Sequence, residues 1–119
     1  MKKAYYLSTC STSKRIISEL NLKELGFEFQ DIKLGSMTPE QLAVMKNMAG
    51  DYESLFSKVA RKYKELSLKD KSLSEDDIKN YILTEYTFLK RPVIIIDDKI
   101  FIGNSKKVVQ AAYDYLNPA

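Results

Sequence analysis

Two short apolar runs around a polar turn restrict the fold of this chain more than any other segment. The run Val93-Ile94-Ile95-Ile96 is followed by Asp97-Asp98-Lys99 and then by Ile100-Phe101-Ile102. Runs of β-branched and aromatic residues that are bounded by turn-forming residues are typical of strands. The segment therefore predicts a β-hairpin, and with it a sheet.

A strand-helix-strand unit is expected before this hairpin. Residues 4–7 form a short apolar run that suits a buried first strand. Residues 13–25 carry apolar side chains at helical spacing and end before Gly26, a natural helix stop. Residues 27–34, which precede Gly35-Ser36, suit a second strand. A unit of this length favours parallel pairing of its two strands.

Residues 38–89 are expected to form a mostly helical block. Thr38 and Gln41 can close a capping box around Pro39, so a helix is expected from residue 39 to residue 48, before Gly50. A broken helix is expected over residues 51–66. Ser74-Glu75-Asp76-Asp77 then caps a longer helix whose apolar positions run to Leu89.

After the hairpin, Gly103-Asn104-Ser105 leads into a last helix with apolar residues along one face. The expected order is β-α-β, a helical insertion, and β-β-α. A chain of 119 residues has the size of one ordinary domain. We therefore expect a single α/β domain over residues 1–119, with residues 38–89 as an insertion within it.

The chain contains no histidine and a single cysteine, Cys10. The absence of histidine excludes a Ser-His-Asp triad, a Cys-His pair and histidine metal ligands. A single cysteine excludes an internal disulfide and a thiolate zinc site, and it fits a reducing cytosol. Cys10 is therefore the one strong soft nucleophile of the sequence.

Several other functional classes are not indicated. Asp76-Asp77 and Asp97-Asp98 suit a helix start and a turn rather than a metal site, so no metal is expected. The 19 basic and 16 acidic residues are interspersed, which favours a solvated surface over direct nucleic-acid binding. The sequence has neither a signal-peptide core nor a run of about 18 apolar residues, so we expect a cytoplasmic protein without membrane insertion.

Cys10 falls in the predicted loop between the first strand and the first helix. The unpaired backbone N–H groups of a helix N-terminus favour thiolate over thiol and can hold an oxyanion beside the sulfur. Hydroxyl groups and cations that would help follow directly, at Ser11, Thr12, Ser13, Lys14 and Arg15. The alternative is an inert core cysteine. The polar neighbours favour a reactive thiolate with a pKa below the ordinary value.

Four segments together resemble the ArsC/Spx family, in the family's order and over nearly the whole chain. The segments are Cys10 to Arg15, Tyr63 to Leu66, Leu89 to Ile94 and Phe101 to Asn104. The family includes glutaredoxin-coupled arsenate reductases, related thiol reductases and the Spx transcriptional regulators. The resemblance implies a thioredoxin-like α/β fold with a mixed central sheet and a helical insertion.

The same resemblance implies a site. Cys10 would be the nucleophile, facing Arg91, which precedes a cis proline at Pro92. In the arsenate reductases of the family, the thiolate attacks arsenate, glutathione attacks the arsenylated cysteine, and glutaredoxin completes the reduction. The implied substrate is a small oxyanion or a thiol/disulfide compound. No bound cofactor is implied, and glutathione as co-substrate or glutaredoxin as partner would supply the second thiol.

The sequence departs from the pattern of those reductases at three positions. Of three arginines that hold the oxyanion there, Arg91 is retained, while Ser57 and Asn104 stand at the other two positions. Arg61, expected one helical turn beyond Ser57, is the nearest substitute, and Tyr6 stands where a histidine precedes the cysteine. Because each charge-assisted contact contributes about 1.5–3 kcal/mol, we expect weak arsenate binding.

Two hypotheses follow. The first is a thiol-dependent reductase with Cys10 and Arg91 as catalytic residues. The residues expected to bind its anionic substrate are Ser11, Thr12, Ser13, Lys14, Arg61, Pro92 and Asn104. The alternative is an Spx-like regulator that binds the RNA polymerase α subunit, because Gly103 and Asn104 resemble a glycine-containing turn of Spx proteins. Ser13 stands at the fourth position of the Spx CxxC motif, so that disulfide cannot form here.

Overall fold

The computed structural model describes residues 1–34 and 37–118, so the expected Gly35-Ser36 boundary and Ala119 lie outside the described residues. The chain divides into two compact units. The first comprises residues 1–35 and 91–119, and the second comprises residues 36–90. The predicted insertion, residues 38–89, falls within the second unit.

The described residues form four strands and five α-helices. The strands are β1 (Lys2–Tyr6), β2 (Glu28–Asp31), β3 (Val93–Ile96) and β4 (Lys99–Ile102). The helices are α1 (Ser11–Glu19), α2 (Pro39–Ala49), α3 (Arg61–Glu65), α4 (Glu75–Thr84) and α5 (Lys106–Leu116). None of the described helices has the length and apolar character that crossing a bilayer requires.

The first unit contains the four-stranded sheet, in the order β2-β1-β3-β4. Strand β1 pairs parallel with β2 and antiparallel with β3, and β3 pairs antiparallel with β4. The predicted hairpin, the parallel strand-helix-strand unit and the mixed α/β sheet are confirmed. Asp97 closes the hairpin turn with a φ of 54°, which an aspartate tolerates in a turn.

One row of side chains crosses the sheet beneath two helices. Ala4 lies opposite Phe29 on β2 and opposite Ile94 on β3, and Ile94 lies opposite Phe101 on β4. Ile16 and Ile17 of α1 and Ala112 of α5 pack into the same core cluster. The core of the first unit therefore fixes α1, and with it the residue that precedes α1.

Helix α1 ends earlier than the sequence predicted. The expected stop was Gly26, but the helix ends at Glu19 because Asn21 adopts a left-handed φ of 55°. The N–H of Leu22 donates to the carbonyl of Ile17 at 3.2 Å, and both side chains are buried in the core cluster. This is a Schellman ending with asparagine in the position that glycine usually takes.

The second strand is also shorter than expected, because β2 ends at Asp31 rather than at Leu34. The N–H of Lys33 donates to the Asp31 carboxylate at 3.1 Å, and the N–H of Leu34 donates to the Asp31 carbonyl at 3.2 Å. These bonds close a turn that ends the pairing with β1. Leu34 is left 84% exposed instead of packing in a strand.

Capping boxes begin two helices of the second unit, at the predicted box of Thr38 and at the predicted helix start of Ser74. Thr38 and Gln41 exchange two hydrogen bonds at 3.1 Å at the start of α2, and Gly50 ends that helix with a φ of 102°. Ser74 and Asp77 do the same at the start of α4, at 3.0 and 3.1 Å. These helix starts are confirmed.

Helix α4 does not reach Leu89 as predicted. It ends at Thr84, because Glu85 takes an extended conformation and residues 86–88 form a short 3-10 helix. Phe88 thereby turns into the core of the second unit, where its ring centroid lies 5.2 Å from that of Phe56 and 5.5 Å from that of Tyr81.

Candidate functional site

Cys10 occupies the position immediately before α1. Its N–H donates to the Leu7 carbonyl at 2.9 Å, and its carbonyl accepts from the N–H of Lys14 at 3.2 Å. Its backbone is extended, with a φ of −101°. The half-buried thiol therefore lies at the N-terminus of α1, where the first backbone N–H groups have no partner within the helix.

Ser13 and Arg91 lower the pKa of the Cys10 thiol below its ordinary value. Burial opposes this effect, because a partly buried thiolate is less well solvated. Burial is the largest single effect on this pKa, and the other effects outweigh it together. In decreasing order they are the hydrogen bonds from the hydroxyl and the backbone N–H of Ser13 and the hydrogen bond and the charge of Arg91. The direction agrees with the expectation from the sequence.

The Ser13 hydroxyl is enclosed by protein. The residue is fully buried, and its Oγ atom makes no hydrogen bond of ordinary geometry to any described residue. This hydroxyl is one of the groups that lower the pKa of the Cys10 thiol. A buried hydroxyl without a hydrogen-bond partner destabilises the folded protein. The penalty is relieved most when Cys10 is a thiolate that can accept the hydrogen of the Ser13 hydroxyl.

Arg91 reaches Cys10 from the start of the hairpin. The Arg91-Pro92 peptide bond is cis, as the family resemblance implies. Pro92 is buried, and its carbonyl accepts the N–H of Gly103 at 2.9 Å. Since β3 follows Pro92 and pairs with β1, the sheet holds the two halves of the site, Cys10 and Arg91, in one unit.

The other predicted residues of the first unit lie around the start of α1 and in the turn after β4. Ser11 and Lys14 are exposed, and Thr12 is half-buried. Asn104 is exposed and adjoins Ser105, which caps α5 by accepting the N–H of Val108 at 3.2 Å. The anion-binding roles of these residues stay predictions.

Arg15 and Tyr6 each have a described partner. The Arg15 guanidinium lies 3.5 Å from the Glu19 carboxylate, one turn further along α1. The Tyr6 ring packs edge-to-face against Phe29, with the centroids 6.1 Å apart. Neither residue is among the groups that lower the Cys10 pKa.

Ser57 and Arg61 belong to the second unit, and their predicted arrangement is wrong. They do not share a helix, because α3 begins at Arg61 and Ala60 is extended. Ser57 is buried, and its N–H donates to the Phe88 carbonyl at 2.7 Å. Arg61 is exposed, and its role toward an anion stays a prediction.

Asp31 is a residue near the site that the sequence pattern did not single out. Its carboxylate accepts the N–H of Ser8 at 3.2 Å and that of Lys33 at 3.1 Å, which ties the loop before Cys10 to the end of β2. Burial would raise the pKa of this carboxyl. Hydrogen bonds from Ser8 and Lys33 and the charge of Lys33 lower it below the ordinary value.

The groups gathered at Cys10 are a thiol, a hydroxyl, backbone N–H groups and a guanidinium. Together they can stabilise a thiolate and hold an anionic group beside it. Within residues 1–34 and 37–118, no cluster of three His, Cys, Asp or Glu side chains could hold a metal ion.

Known proteins resemble this chain in sequence and in fold. A sequence model of the ArsC family matches residues 5–112. The YusI protein of Bacillus subtilis is 28% identical over 104 residues, which is 83% of this chain and 86% of that protein.

Two solved structures share its fold. An arsenate reductase from Vibrio cholerae has a TM-score of 0.77 at 19% identity, over 93% of this chain and 98% of that one. The protein SACOL0876 of Staphylococcus aureus has a TM-score of 0.72 at 28% identity, over 93% and 97% of the two chains. The thioredoxin-like fold implied by the sequence is confirmed.

Proposed function

The chain belongs to the ArsC family, and from that premise we propose that it is a thiol-dependent reductase with Cys10 as its nucleophile. The observation that carries the proposal is the position of the half-buried Cys10 thiol at the N-terminus of α1, beside Ser13 and Arg91, which lower its pKa. The thiolate is the form of cysteine that attacks disulfides and oxyanions, so a lowered pKa increases the reactive fraction at neutral pH.

The reaction begins with attack of the Cys10 thiolate on a sulfur of a disulfide substrate. A bond forms between Cys10 Sγ and that sulfur, and the other half of the substrate leaves as a thiolate that takes up a proton from water. A second thiol then attacks the mixed disulfide on Cys10. Its sulfur bonds to the first half of the substrate, and Cys10 leaves as the thiolate. A further molecule of the second thiol attacks its own kind's sulfur in this new mixed disulfide, and the first half of the substrate leaves as a thiolate that takes up a proton. Two molecules of the external thiol thus supply the two electrons and end as a disulfide, while Cys10 is regenerated.

The second thiol comes from another molecule, because Cys10 is the single cysteine of the sequence. We propose glutathione or a glutaredoxin for this step. A reducing cytoplasm keeps such thiols available, which suits a reductase of this kind.

Arg91 and Ser13 have separate tasks in this scheme. When Cys10 is a thiolate, the Ser13 hydroxyl can turn its hydrogen toward the sulfur, so it stabilises Cys10 both as the attacking and as the departing thiolate. Arg91 also carries a full charge that can orient a carboxylate or oxyanion of the substrate at the sulfur. The exposed backbone N–H groups at the start of α1 add to this anion site.

A disulfide is the substrate class that these groups favour over arsenate. Arg91 is the guanidinium that lowers the Cys10 pKa, while the two other family arginine positions hold Ser57 and Asn104. An oxyanion with three charged oxygens would gain fewer charge-assisted bonds here than in a site with three arginines. A disulfide needs one nucleophile, one leaving group and one anchor for its charged end.

Alkylation kinetics test the nucleophile. The rate of Cys10 modification by iodoacetamide, followed against pH, is expected to reach half its maximum below the ordinary cysteine pKa, which is about 8.5. The Arg91→Ala variant should shift that midpoint upward. Arg15→Ala is the matched control, since it removes a cation that pairs with Glu19, and it should leave the midpoint in place.

Turnover tests the reaction. The protein is incubated with glutathione and hydroxyethyl disulfide, with NADPH and glutathione reductase to report the glutathione disulfide formed. Consumption of NADPH above the Cys10→Ser background is expected, and parallel reactions with arsenate and a glutaredoxin should turn over more slowly. A protein that alkylates readily but turns over neither substrate would contradict the reductase.

An affinity capture experiment separates the reductase from the alternative. An Spx-like regulator would retain RNA polymerase α subunit in stoichiometric amount, and the Cys10→Ser variant would retain it equally. Such a result together with absent turnover would favour the regulator over our proposal.

A further inference from the structure

A cavity of about 480 Å³ runs beside α1 in the first unit. One wall is a single face of the helix and its ending, formed by Lys14, Ile17, Ser18 and Asn21 at helical spacing. Tyr6 of β1 and Phe29 of β2 form the apolar part of the lining. The volume lies within the range of about 300–1,000 Å³ that small-molecule sites occupy.

The cavity is separate from the thiol site. Cys10, Ser13 and Arg91 do not line it. Lys14 is the link between the two places, because its N–H donates to the Cys10 carbonyl while its side chain lines the cavity. A ligand in this cavity would therefore lie against the helix that carries the thiol without being positioned to react with it.

Three charged side chains at the cavity make no ion pair with any described residue. They are Lys14, Lys23 and Glu24. Two lysines and one glutamate give the lining of the cavity a net charge of one positive unit. Ammonium groups that make no ion pair and lie around a concave surface attract an anion.

The aromatic pair determines which kind of anion fits. Tyr6 and Phe29 meet at an interplanar angle of 86°, and both rings are half-buried. An edge-to-face pair of this kind holds the two rings in place, and their remaining surface can pack against a flat apolar group. We propose that this cavity binds a small aromatic anion, with its ring against Tyr6 and Phe29 and its charge toward Lys14 and Lys23.

The proposal goes beyond the reductase and does not depend on it. Titration of ¹⁵N-labelled protein with 2-naphthoate at low salt is the direct test. Saturable amide shifts are expected around Tyr6, Ser18, Asn21, Lys23 and Phe29. The Cys10→Ser variant should bind with the same affinity, because the sulfur takes no part.

Matched lysine variants test the charge. Lys14→Gln and Lys23→Gln should each weaken 2-naphthoate binding by about two- to five-fold, as expected for a partly exposed charge contact. Lys33→Gln removes an exposed lysine that does not line the cavity, and it should have no effect. Neutral 2-naphthol should bind more weakly than the anion.

Two outcomes would overturn the proposal. One is an absence of saturation at millimolar 2-naphthoate in the wild-type protein. The other is a set of shifts that spreads over the surface and is insensitive to Lys14→Gln and Lys23→Gln. Phe29→Leu keeps an apolar side chain in the core. A folded Phe29→Leu protein with unchanged 2-naphthoate affinity would contradict the proposed contact between the ligand's ring and Phe29.

Discussion

The Ser13 hydroxyl is a fully buried polar group three residues after the reactive sulfur. A hydrogen bond to a charged group contributes about 1.5–3 kcal/mol, whereas a hydrogen bond to a thiol contributes little. The environment of Ser13 therefore favours the charged form of Cys10. This preference connects one side chain of the core to the chemistry proposed for the site.

Replacing Ser13 by alanine should raise the Cys10 pKa and slow alkylation at pH 7 by about ten-fold, which corresponds to roughly 1.4 kcal/mol. The fold should be retained, because alanine leaves no unsatisfied hydroxyl in the core. The measurement is the pH dependence of the iodoacetamide rate. Alanine at Ser11, which is exposed, serves as the control and should change the rate little.

Asp31 gives a residue-scale prediction about stability. Its pKa is lowered in the folded protein, so its contribution is present above the unfolded value of about 3.9 and is lost as the pH falls through the folded value. Asp31→Asn should therefore lower the urea midpoint at pH 7 relative to wild type. In urea unfolding experiments the difference from wild type should shrink below about pH 4. A constant difference down to pH 2 would contradict this origin.

At the scale of elements, the end of α1 depends on a single left-handed residue. Asn21 has a φ of 55°, a conformation that costs most residues about 1–2 kcal/mol and that asparagine and glycine tolerate. Asn21→Ala should lower the free energy of unfolding by about 1 kcal/mol, while Asn21→Gly should leave it nearly unchanged. Urea denaturation of the two variants measures the difference. Equal destabilisation by both substitutions would point to the asparagine side chain instead.

The elements that the sequence predicted well are those with local signals. Consecutive apolar residues on both sides of a polar turn indicate the hairpin of β3 and β4. Pairs of residues three positions apart indicate the starts of α2 and α4. The ends of α1 and α4 were predicted poorly, because Asn21 and Glu85 end those helices through backbone conformations that the apolar spacing does not report. The apolar pattern itself continues past both ends.

The residues of the candidate site also differ in whether the local sequence indicates their contacts. Cys10 and Ser13 are neighbours in sequence, and their interaction could be anticipated from the loop. Asp31 acts on Ser8 across 23 positions, and nothing in the local sequence around either residue indicates that contact. Arg91 was reached through family resemblance, since a lone arginine before a proline indicates only the start of a strand.

For the whole molecule, the absence of histidine predicts an unusual pH profile. Histidine is the side chain that ordinarily titrates between about pH 5 and 8, and this sequence has none. The Cys10→Ser protein should therefore keep a constant urea midpoint between about pH 5.5 and 7.

The wild-type protein should differ from that variant in one direction. Because the Cys10 pKa is lowered by folding, the unfolded chain binds more protons above the folded value, and stability should rise with pH there. The comparison of the two urea midpoints across the pH series isolates this contribution. A wild-type midpoint that falls relative to the variant above about pH 8.5, the unfolded cysteine value, would mean that folding raises the pKa of the thiol.

Strand β1 is hydrogen-bonded along both of its edges, to β2 and to β3. An interior strand exchanges its amide hydrogens only when a large part of the structure opens. The chain that leads into Cys10 thus continues from one of the two interior strands of the sheet. Alkylation of Cys10 should consequently proceed from the closed state, at a rate insensitive to denaturant below the unfolding transition. Reactivity would then report the chemistry of the thiolate itself, free of any contribution from transient opening.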